Sequence, residues 1–323
     1  MHEWLEEIQR RSATGEAVAL CTVVAARGST PQAAGARMVL LASGHQVGTL
    51  GGGCVEAEVR QRALQMLAAK QSGLLTFKLD HDYGWDDGLI CGGTMNIFVE
   101  TLATPAAAQQ YDQALQTLRQ GAKPTVKLSF DAAPGASHTY EEVLEPAPRL
   151  IIAGAGHVGQ ALARLASDAG FDVTIVDDRA DLTSPERFPF ARHRVVGEIE
   201  LELRRQSINQ DTFIVIVTRG HRHDGRALAA VIDSPARYIG LIGSRRKVIT
   251  IFQDLLRQGV SMENLLRVHA PIGVEIGAVT VPEIALSIAA ELVAVRRGLG
   301  GKPALPMKFD ADALRKHLEE QNG

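Results

Sequence analysis

The segment RLIIAGAGHVGQALA, residues 149–163, decides the fold. It opens with an apolar run that predicts a buried strand, and the residues after its last glycine have the apolar spacing of a helix. Between the two lies a Gly-x-Gly-x-x-Gly pattern formed by Gly154, Gly156 and Gly159. In this context the first glycine permits a tight turn, the second lets a pyrophosphate approach the backbone, and the third lets the helix pack against the strand. The segment therefore predicts a phosphate-binding turn at the amino terminus of a helix.

The chain beyond residue 149 alternates strands with helices of about 10–15 residues, a pattern typical of a doubly wound parallel sheet. The predicted strands are RLIIAGAG, DVTIVDD, HRVVG, FIVIVT, YIGLIG and a last one near Leu266–His269, and the predicted helices begin near Val158, Asp224, Arg245 and Pro282. Asp177 ends the second strand about 20 residues after the glycines, where an acidic side chain accepts hydrogen bonds from a ribose. The neighbouring Arg179 is compatible with a 2′-phosphate instead. The sequence thus predicts a site for NAD(P) or another nucleotide, with a fold that has lost its ligand as the alternative.

The residues before Pro146-Ala147-Pro148 follow a different order of elements. Strands are predicted over Ala17–Ala26, Arg37–Leu41, Gln46–Leu50, Leu74–Leu79, Thr94–Glu100, Thr125–Phe130 and Thr139–Leu144, and helices over Cys54–Lys70 and Ala106–Arg119. The prolines stiffen the passage between the two patterns, so we place the domain boundary there. The fold class predicted is α/β, with an N-terminal α+β domain over residues 1–146, a Rossmann-like doubly wound parallel-sheet domain over 147–298, and a polar tail over 299–323.

The composition is that of an ordinary globular protein. The 323 residues are 46% hydrophobic and 22% charged, and 34 basic against 37 acidic residues give a formal net charge of −3. The chain therefore carries no net positive charge that would attract it to nucleic acid or to an anionic membrane surface. The longest apolar stretches are shorter than the about 20 residues of a spanning helix, and the opening residues MHEWLEEIQRR lack the pattern of a secretory signal. Because three cysteines are too few for a disulfide framework, these features together predict a cytoplasmic protein.

The segment GTLGGGCVE, residues 48–56, holds a second candidate site. Three consecutive glycines precede its cysteine: Gly51, Gly52 and Gly53. Cys54 then stands at the predicted start of a helix, where unpaired N–H groups and the helix dipole stabilise an anion, so it is a candidate thiolate. A buried cysteine that only opens the helix is the alternative. Glu56, in the first turn, is interpreted as complementing the helix dipole.

The remaining cysteines differ in setting. Cys91 and Gly92 lie in the long acidic loop of residues 80–93, so Cys91 offers a second thiol beside flexible backbone, whereas Cys21 lies inside a predicted strand and belongs to the core. Two glycine-flanked cysteines in one domain predict a site for a thiophilic ligand that carries phosphate. The acidic residues of the long loop lack regular metal-ligand spacing, so we favour a solvated loop over a metal site. The His-x-His-Asp run at 221–224 is too weak a pattern for a metal site, and we favour a solvated loop or a ligand contact there.

Eight motifs together resemble a known family. They are GSTP at 28–31, GARM at 35–38, GTLGGGCVE at 48–56, CGG at 91–93, IIAGAGHVGQALA at 151–163, YIGLIGSRRK at 238–247, and HAPIG with IALSIAAELVA between 269 and 294. This set is similar to the XdhC/CoxI family, the xanthine dehydrogenase accessory proteins. The family's glycine segment with its cysteine falls on Gly51, Gly52, Gly53 and Cys54, and its second cysteine motif falls on Cys91 and Gly92.

The resemblance implies a function in cofactor delivery. Such a protein binds molybdenum cofactor, supports its sulfuration by a cysteine desulfurase, and delivers it to a xanthine dehydrogenase-type molybdenum hydroxylase. It implies a phosphate cradle at Gly51–Gly53, with Cys54 as a contact for molybdenum or sulfur and Cys91 as a second thiol. A homodimer that acts by transfer rather than by its own turnover is expected, and a dinucleotide cargo would place its nucleotide half at the glycine turn of the second domain.

Two other functions stay open at this point. The first is an NAD(P)-dependent oxidoreductase, for which the sequence contains no evident proton donor. The second is a sensing module that binds a nucleotide as a structural ligand.

Overall fold

A computed structural model describes residues 2–79, 93–133 and 136–299. These residues form two compact units, His2–Pro146 and a second unit that begins at Ala147. The first contains an antiparallel sheet with helices and the second a parallel sheet with helices. The predicted α/β class is confirmed, as is its order of an α+β part followed by a parallel-sheet part. Within the described ranges, no helix is both long enough and apolar enough to cross a membrane.

The first unit is built around an antiparallel sheet. Its strands are β1 (Val18–Arg27), β2 (Arg37–Leu41), β3 (Gln46–Gly48), β4 (Gly73–Lys78) and β5 (Thr94–Leu102). Its helices are α1 (Glu3–Ala13), α2 (Gly53–Ala69) and α3 (Pro105–Arg119), and a separate hairpin consists of β6 (Thr125–Ala133) and β7 (Ala136–Val143). The strand order is β3-β2-β1-β5-β4.

The central strand β1 is buried on both faces of this sheet. Val18 and Leu20 belong to the cluster formed with α1 and α3, whereas Ala19 and Cys21 belong to the cluster formed with α2. Such alternation follows from the two-residue period of a strand. Helix α2 buries four residues at helical spacing: Val55, Val59, Ala63 and Leu67. The packing of this stripe fixes the helix whose first turn carries Cys54.

The second unit is a five-stranded parallel sheet with helices on both faces. Its strands are β8 (Arg149–Ala153), β9 (Asp172–Asp177), β10 (His193–Val196), β11 (Thr212–Ile216) and β12 (Tyr238–Leu241). Its helices are α4 (His157–Asp168), α5 (Ile199–Arg205), α6 (His221–Val231), α7 (Arg245–Arg257), α8 (Met262–Leu266) and α9 (Val281–Arg296). The strand order is β10-β9-β8-β11-β12. Successive strands are therefore added on one side of β8 as far as β10 and then on its other side, from β11 onward. In sheets of this kind ligands bind beyond the carboxyl ends of the strands at such a switch point.

The prediction of a sixth strand over Leu266–His269 is wrong. Helix α8 ends at Leu266, and His269 forms only an isolated bridge with Gly240 beside β12. Pro271 follows two residues later and has no N–H group, so it cannot extend the hydrogen-bond ladder. Ile272 donates one more backbone hydrogen bond, to the carbonyl of Leu241, before the chain leads to α9. The predicted polar tail lies, from residue 300 onward, outside the described residues.

Candidate functional site

The turn between β8 and α4 divides its three glycines into two roles. A Cβ atom at Gly154, where φ is +123°, would lie 2.4 Å from the carbonyl oxygen of Val217, and a Cβ at Gly159 would lie 2.0 Å from that of Gly154. At Gly156 nothing lies within 4 Å of such a Cβ. The outer glycines are therefore required by packing, while the middle one leaves open space at the amino terminus of α4. Open backbone at this position is what the approach of a phosphate requires.

The carboxylate of Asp177 is already engaged within the protein. Its side chain is 1% exposed, and it accepts hydrogen bonds from the N–H of Ala155 at 2.6 Å and from the Arg179 backbone and guanidinium at 2.8–3.0 Å. Burial alone would raise the pKa of this carboxyl, but the bonds from Arg179 and Ala155 lower it to about 2. Asp177 therefore joins the glycine turn to the end of β9. A ribose would have to compete with Arg179 for this carboxylate.

A second ion pair spans the end of β8. Asp178 follows β9 directly, and its Oδ2 lies 2.7 Å from Nη2 of Arg219 in the loop after β11. Because β8 lies between β9 and β11, this pair links the two loops that flank the glycine turn. Both side chains are partly exposed, at 31% and 49%.

The segment His221–Asp224 forms the first turn of α6, so the prediction of a solvated loop is wrong here. Asp224 is fully buried, and its Oδ1 accepts hydrogen bonds from the backbone N–H of Thr218 at 3.1 Å and from its hydroxyl at 2.6 Å. Lys247, in the first turn of α7, forms an ion pair with its other oxygen. In the part of the chain that the structure describes, no group of three His, Cys, Asp or Glu side chains is placed to hold a metal ion.

The HAPIG segment belongs to a buried polar network that the sequence motifs did not predict. Glu291 of α9 is 5% exposed. It accepts hydrogen bonds from the hydroxyl of Tyr238 at 2.6 Å and from the N–H of Gly273 at 2.7 Å, and its Oε1 lies 2.7 Å from Nδ1 of His269. Burial would raise the pKa of Glu291, but these partners, His269 foremost, hold it below its ordinary value. A single carboxylate inside the apolar helix sequence IALSIAAELVA was the available signal, since such groups are buried only when paired.

In the first unit, the glycine loop before α2 leaves space on one side. All three glycines have positive φ, of +110°, +72° and +66° for Gly51, Gly52 and Gly53. A Cβ at Gly51 would lie 2.3 Å from Cβ of Pro31, whereas nothing lies within 4 Å of a Cβ at Gly52 or Gly53. Cys54 follows in the first turn of α2 with a free, half-buried thiol. The structure thus places the predicted glycines and Cys54 together beside open space.

Glu56 organises this loop, a role that its place in the first helical turn did not by itself predict. Its Oε2 accepts hydrogen bonds from the hydroxyl of Thr49 at 2.6 Å, the N–H of Leu50 at 2.8 Å and the N–H of Gly52 at 3.1 Å, and its Oε1 accepts one from Nε2 of Gln46 at 2.9 Å. Desolvation would raise the pKa of Glu56, but these four bonds lower it to about 2. An acidic residue in the first helical turn after a Thr-containing loop was the signal, because such side chains reach back to loop N–H groups.

The other thiols occupy different positions. Cys21 is fully buried in β1, as predicted, and desolvation raises its pKa to about 12. Cys91 and Gly92, with the acidic residues of their loop, lie outside the described residues.

Comparison with known proteins decides the family. Residues 12–78 match the model of the XdhC and CoxI family, and residues 150–292 match the model of the XdhC Rossmann domain. The chain belongs to the XdhC and CoxI family. The resemblance that the sequence motifs indicated is thereby confirmed, and the parallel sheet of this XdhC-family chain corresponds to the XdhC Rossmann domain.

Three relatives match the XdhC-family chain over most of its length. It is 32% identical over 302 residues to Uncharacterized protein YqeB of Escherichia coli K12, a match that covers 92% of the chain and 48% of YqeB. It is 26% identical over 318 residues to a probable xanthine dehydrogenase subunit of Bacillus subtilis, and 28% identical over 296 residues to Molybdenum cofactor insertion chaperone PaoD of Escherichia coli K12. These two matches cover 87% and 88% of the chain, and 94% and 85% of the relatives. The chain therefore spans about half the length of YqeB but most of the other two.

A solved structure shares the fold. The crystal structure of a xanthine dehydrogenase from Bacillus halodurans superposes with a TM-score of 0.78 at 24% identity, and the match covers 93% of this chain and 98% of the other. At this level of identity the likeness concerns the fold alone.

Proposed function

We propose that this XdhC-family chain binds molybdenum cofactor and delivers it to a xanthine dehydrogenase-type molybdenum hydroxylase. Support comes from the family and from the names of two relatives, a molybdenum cofactor insertion chaperone and a probable xanthine dehydrogenase subunit. The observation that carries the proposal is the free, half-buried thiol of Cys54 beside the open glycine loop.

The chemistry of this loop suits a molybdenum-bearing guest. Thiolates are soft ligands that contact molybdenum or its sulfur readily. The absence of side chains at Gly52 and Gly53 leaves room for a bulky ring system next to Cys54. The first N–H groups of α2, at Gly53 and Cys54, have no intrahelical partner and are suited to the terminal phosphate of the cofactor. The proposal assigns the metal or sulfur contact to Cys54 and a second thiol to Cys91.

The proposal extends to a nucleotide at the switch point of the second unit. A phosphate fits the open backbone at Gly156 and the amino terminus of α4. Because the carboxylate of Asp177 is held by Arg179, the affinity rests on the phosphates more than on the ribose. The ligand proposed is NAD(P), another nucleotide, or the nucleotide half of a dinucleotide cofactor. Calorimetric titration with NAD, NADP and CTP tests this part, and the absence of heat with every nucleotide would refute it.

The remaining parts of the proposal concern partners. The chain acts by transfer rather than turnover and supports the sulfuration of its bound cofactor by a cysteine desulfurase. It works as a homodimer in the cytoplasm, where its thiols stay reduced. Light scattering of the purified protein tests the dimer. Pull-down with the desulfurase and the hydroxylase tests the two partners.

The deciding experiment measures cofactor retention. The protein is purified from a host supplied with molybdate, the released pterin is oxidised and measured by fluorescence, and the same preparation is used to reconstitute an apo-hydroxylase. Loss of a metal contact should lower retention by about tenfold or more, so Cys54→Ser is expected to carry little pterin while keeping its fold. Cys21→Ala is the control, because it removes a fully buried thiol in β1 that is not exposed at the loop surface. Equal pterin in wild type and Cys54→Ser would refute the assignment.

A further inference from the structure

Glu56 ties together a loop that has no regular secondary structure of its own. Its carboxylate reaches back to Gln46, Thr49, Leu50 and Gly52, all of which precede α2. The hydroxyl of Thr49 continues the network, because it also accepts a hydrogen bond from the N–H of Gly51 at 3.1 Å. Three successive N–H groups of the loop thus have acceptors that a single side chain provides or holds in place: Leu50 and Gly52 bind Glu56 itself, and Gly51 binds the hydroxyl that Glu56 holds.

The backbone of this loop is otherwise free to change shape. Its glycines at 51–53 have the widest choice of φ and ψ of any residue, so their conformation must be selected by contacts. The contacts that select it are the approach of Gly51 to Pro31 and the bonds to Glu56. Without the carboxylate, the N–H groups of Leu50 and Gly52 would lose their acceptors. The turn that leads into Cys54 would then lose the hydrogen bonds that stabilise it.

We propose that Glu56 is the positioning residue of the glycine loop, holding Thr49–Gly53 in the shape that presents the Cys54 thiol beside open space. Its carboxylate occupies the N–H groups of Leu50 and Gly52, which would otherwise be available to the phosphate of a ligand. The phosphate contacts open to a guest are thereby confined to the helix start at Gly53 and Cys54. The consequence for cargo rests on the proposed function, whereas the consequence for the thiol and the loop does not.

The structure predicts which replacement keeps this role. In Glu56→Gln the amide oxygen is able to keep the three bonds of Oε2, while its NH2 group faces the side chain of Gln46. The Oε1 atom of Gln46 is buried without a hydrogen-bond partner, so turning that amide over supplies an acceptor. Glu56→Gln should therefore preserve the loop, and Glu56→Ala should release it.

The test compares these two variants with wild type and with Glu58→Ala. Glu58 is the matched control, since it lies further along α2 and forms an ion pair with Arg62 rather than a loop contact. Peptide-resolved mass spectrometry follows the alkylation of Cys54 by iodoacetamide at neutral pH, hydrogen exchange follows the amides of residues 49–55, and pterin fluorescence follows cofactor retention. Each is measured on the full chain.

We expect Glu56→Ala to speed loop exchange and alter the Cys54 alkylation rate by about fivefold or more, as the loss of bonds to a charged group implies. Pterin retention should fall with it. Glu56→Gln and Glu58→Ala should stay within about twofold of wild type. Wild-type alkylation and exchange in Glu56→Ala, or failure of Glu56→Gln to restore them, would overturn the positioning role. If wild type itself retains no pterin, the proposed function fails, and the alkylation and exchange data still decide the role of Glu56.

Discussion

Gly156→Ala and Gly159→Ala add the same methyl group at two positions of one turn, and we expect their effects to separate binding from folding. A Cβ at Gly159 would lie 2.0 Å from the carbonyl oxygen of Gly154, so strand β8 and helix α4 must move apart. A Cβ at Gly156 meets nothing within 4 Å, and the φ of −71° at this residue is one that alanine adopts readily.

The magnitudes follow from these distances. Overpacking against backbone costs about 1–3 kcal/mol, which for a unit of this size lowers its melting temperature by about 2–4 °C per kcal/mol. At Gly156, alanine restricts the unfolded chain and stabilises by about 0.4–1 kcal/mol. The preference of helix N-caps for glycine over alanine opposes this gain, so the net change should stay within about 1 kcal/mol. The methyl group nevertheless occupies the space proposed for a phosphate, and we expect the affinity for nucleotide to fall by about tenfold.

Differential scanning calorimetry gives the two stabilities, and titration calorimetry with the best-bound nucleotide gives the affinities. We expect a destabilised Gly159→Ala and a Gly156→Ala that melts like wild type but binds poorly. We infer that packing requires glycine at position 159 but not at position 156, and equal destabilisation of both variants would contradict this. A Gly156→Ala variant that binds nucleotide as tightly as wild type would contradict the proposed phosphate position.

The remaining predictions concern buried carboxylates. Asp177→Asn should cost about 1–3 kcal/mol of unfolding free energy, because an amide leaves buried donors without an acceptor. Asp178→Asn breaks a partly exposed ion pair and should cost less than about 1 kcal/mol. Thermal melts that rank the two variants in the other order would contradict this expectation. Tyr238→Phe removes a buried bond to Glu291 and should destabilise by about 1.5–3 kcal/mol, to be checked by the same melts, with an unchanged melting temperature as the contrary result. The pKa of Asp177 and that of Glu56 are both lowered to about 2 in the folded protein, so their stabilisation is complete above about pH 4.5 and is lost as the pH falls toward 2. Acid titration followed by circular dichroism should therefore show a shallower loss of stability for Asp177→Asn than for wild type, and identical curves would show that this carboxylate does not drive the transition.

Much of the fold was predictable because burial imposes periods on the sequence. The apolar run over Ala17–Ala26 indicated a buried strand, and the structure has β1 over Val18–Arg27. The alternation of strands and helices beyond residue 149 likewise indicated the parallel sheet. The prediction failed near Leu266–His269, a short segment followed by Pro271, and the structure places the end of a short helix and one bridge there.

The partners of polar side chains were not predictable in the same way. Asp177 was interpreted as a ribose acceptor from its position after β9, yet its carboxylate is bonded to Ala155 and Arg179. Glu56 was interpreted as complementing a dipole, yet it binds the loop before its own helix. A carboxylate accepts several bonds from any donor that the fold brings near, and the sequence does not state which donors those are.

The sequence by itself determined the two patterns of secondary structure, the family, and the positions of the glycines and of Cys54, because local periodicity and turn chemistry depend on residues that are close in the chain. Only the tertiary structure decided that Gly156 has open space while Gly154 and Gly159 are packed against carbonyl oxygens. It also decided which carboxylates are engaged inside the protein. These outcomes depend on atoms from strands and loops far apart in sequence, whose distances are set when the sheets and helices pack together.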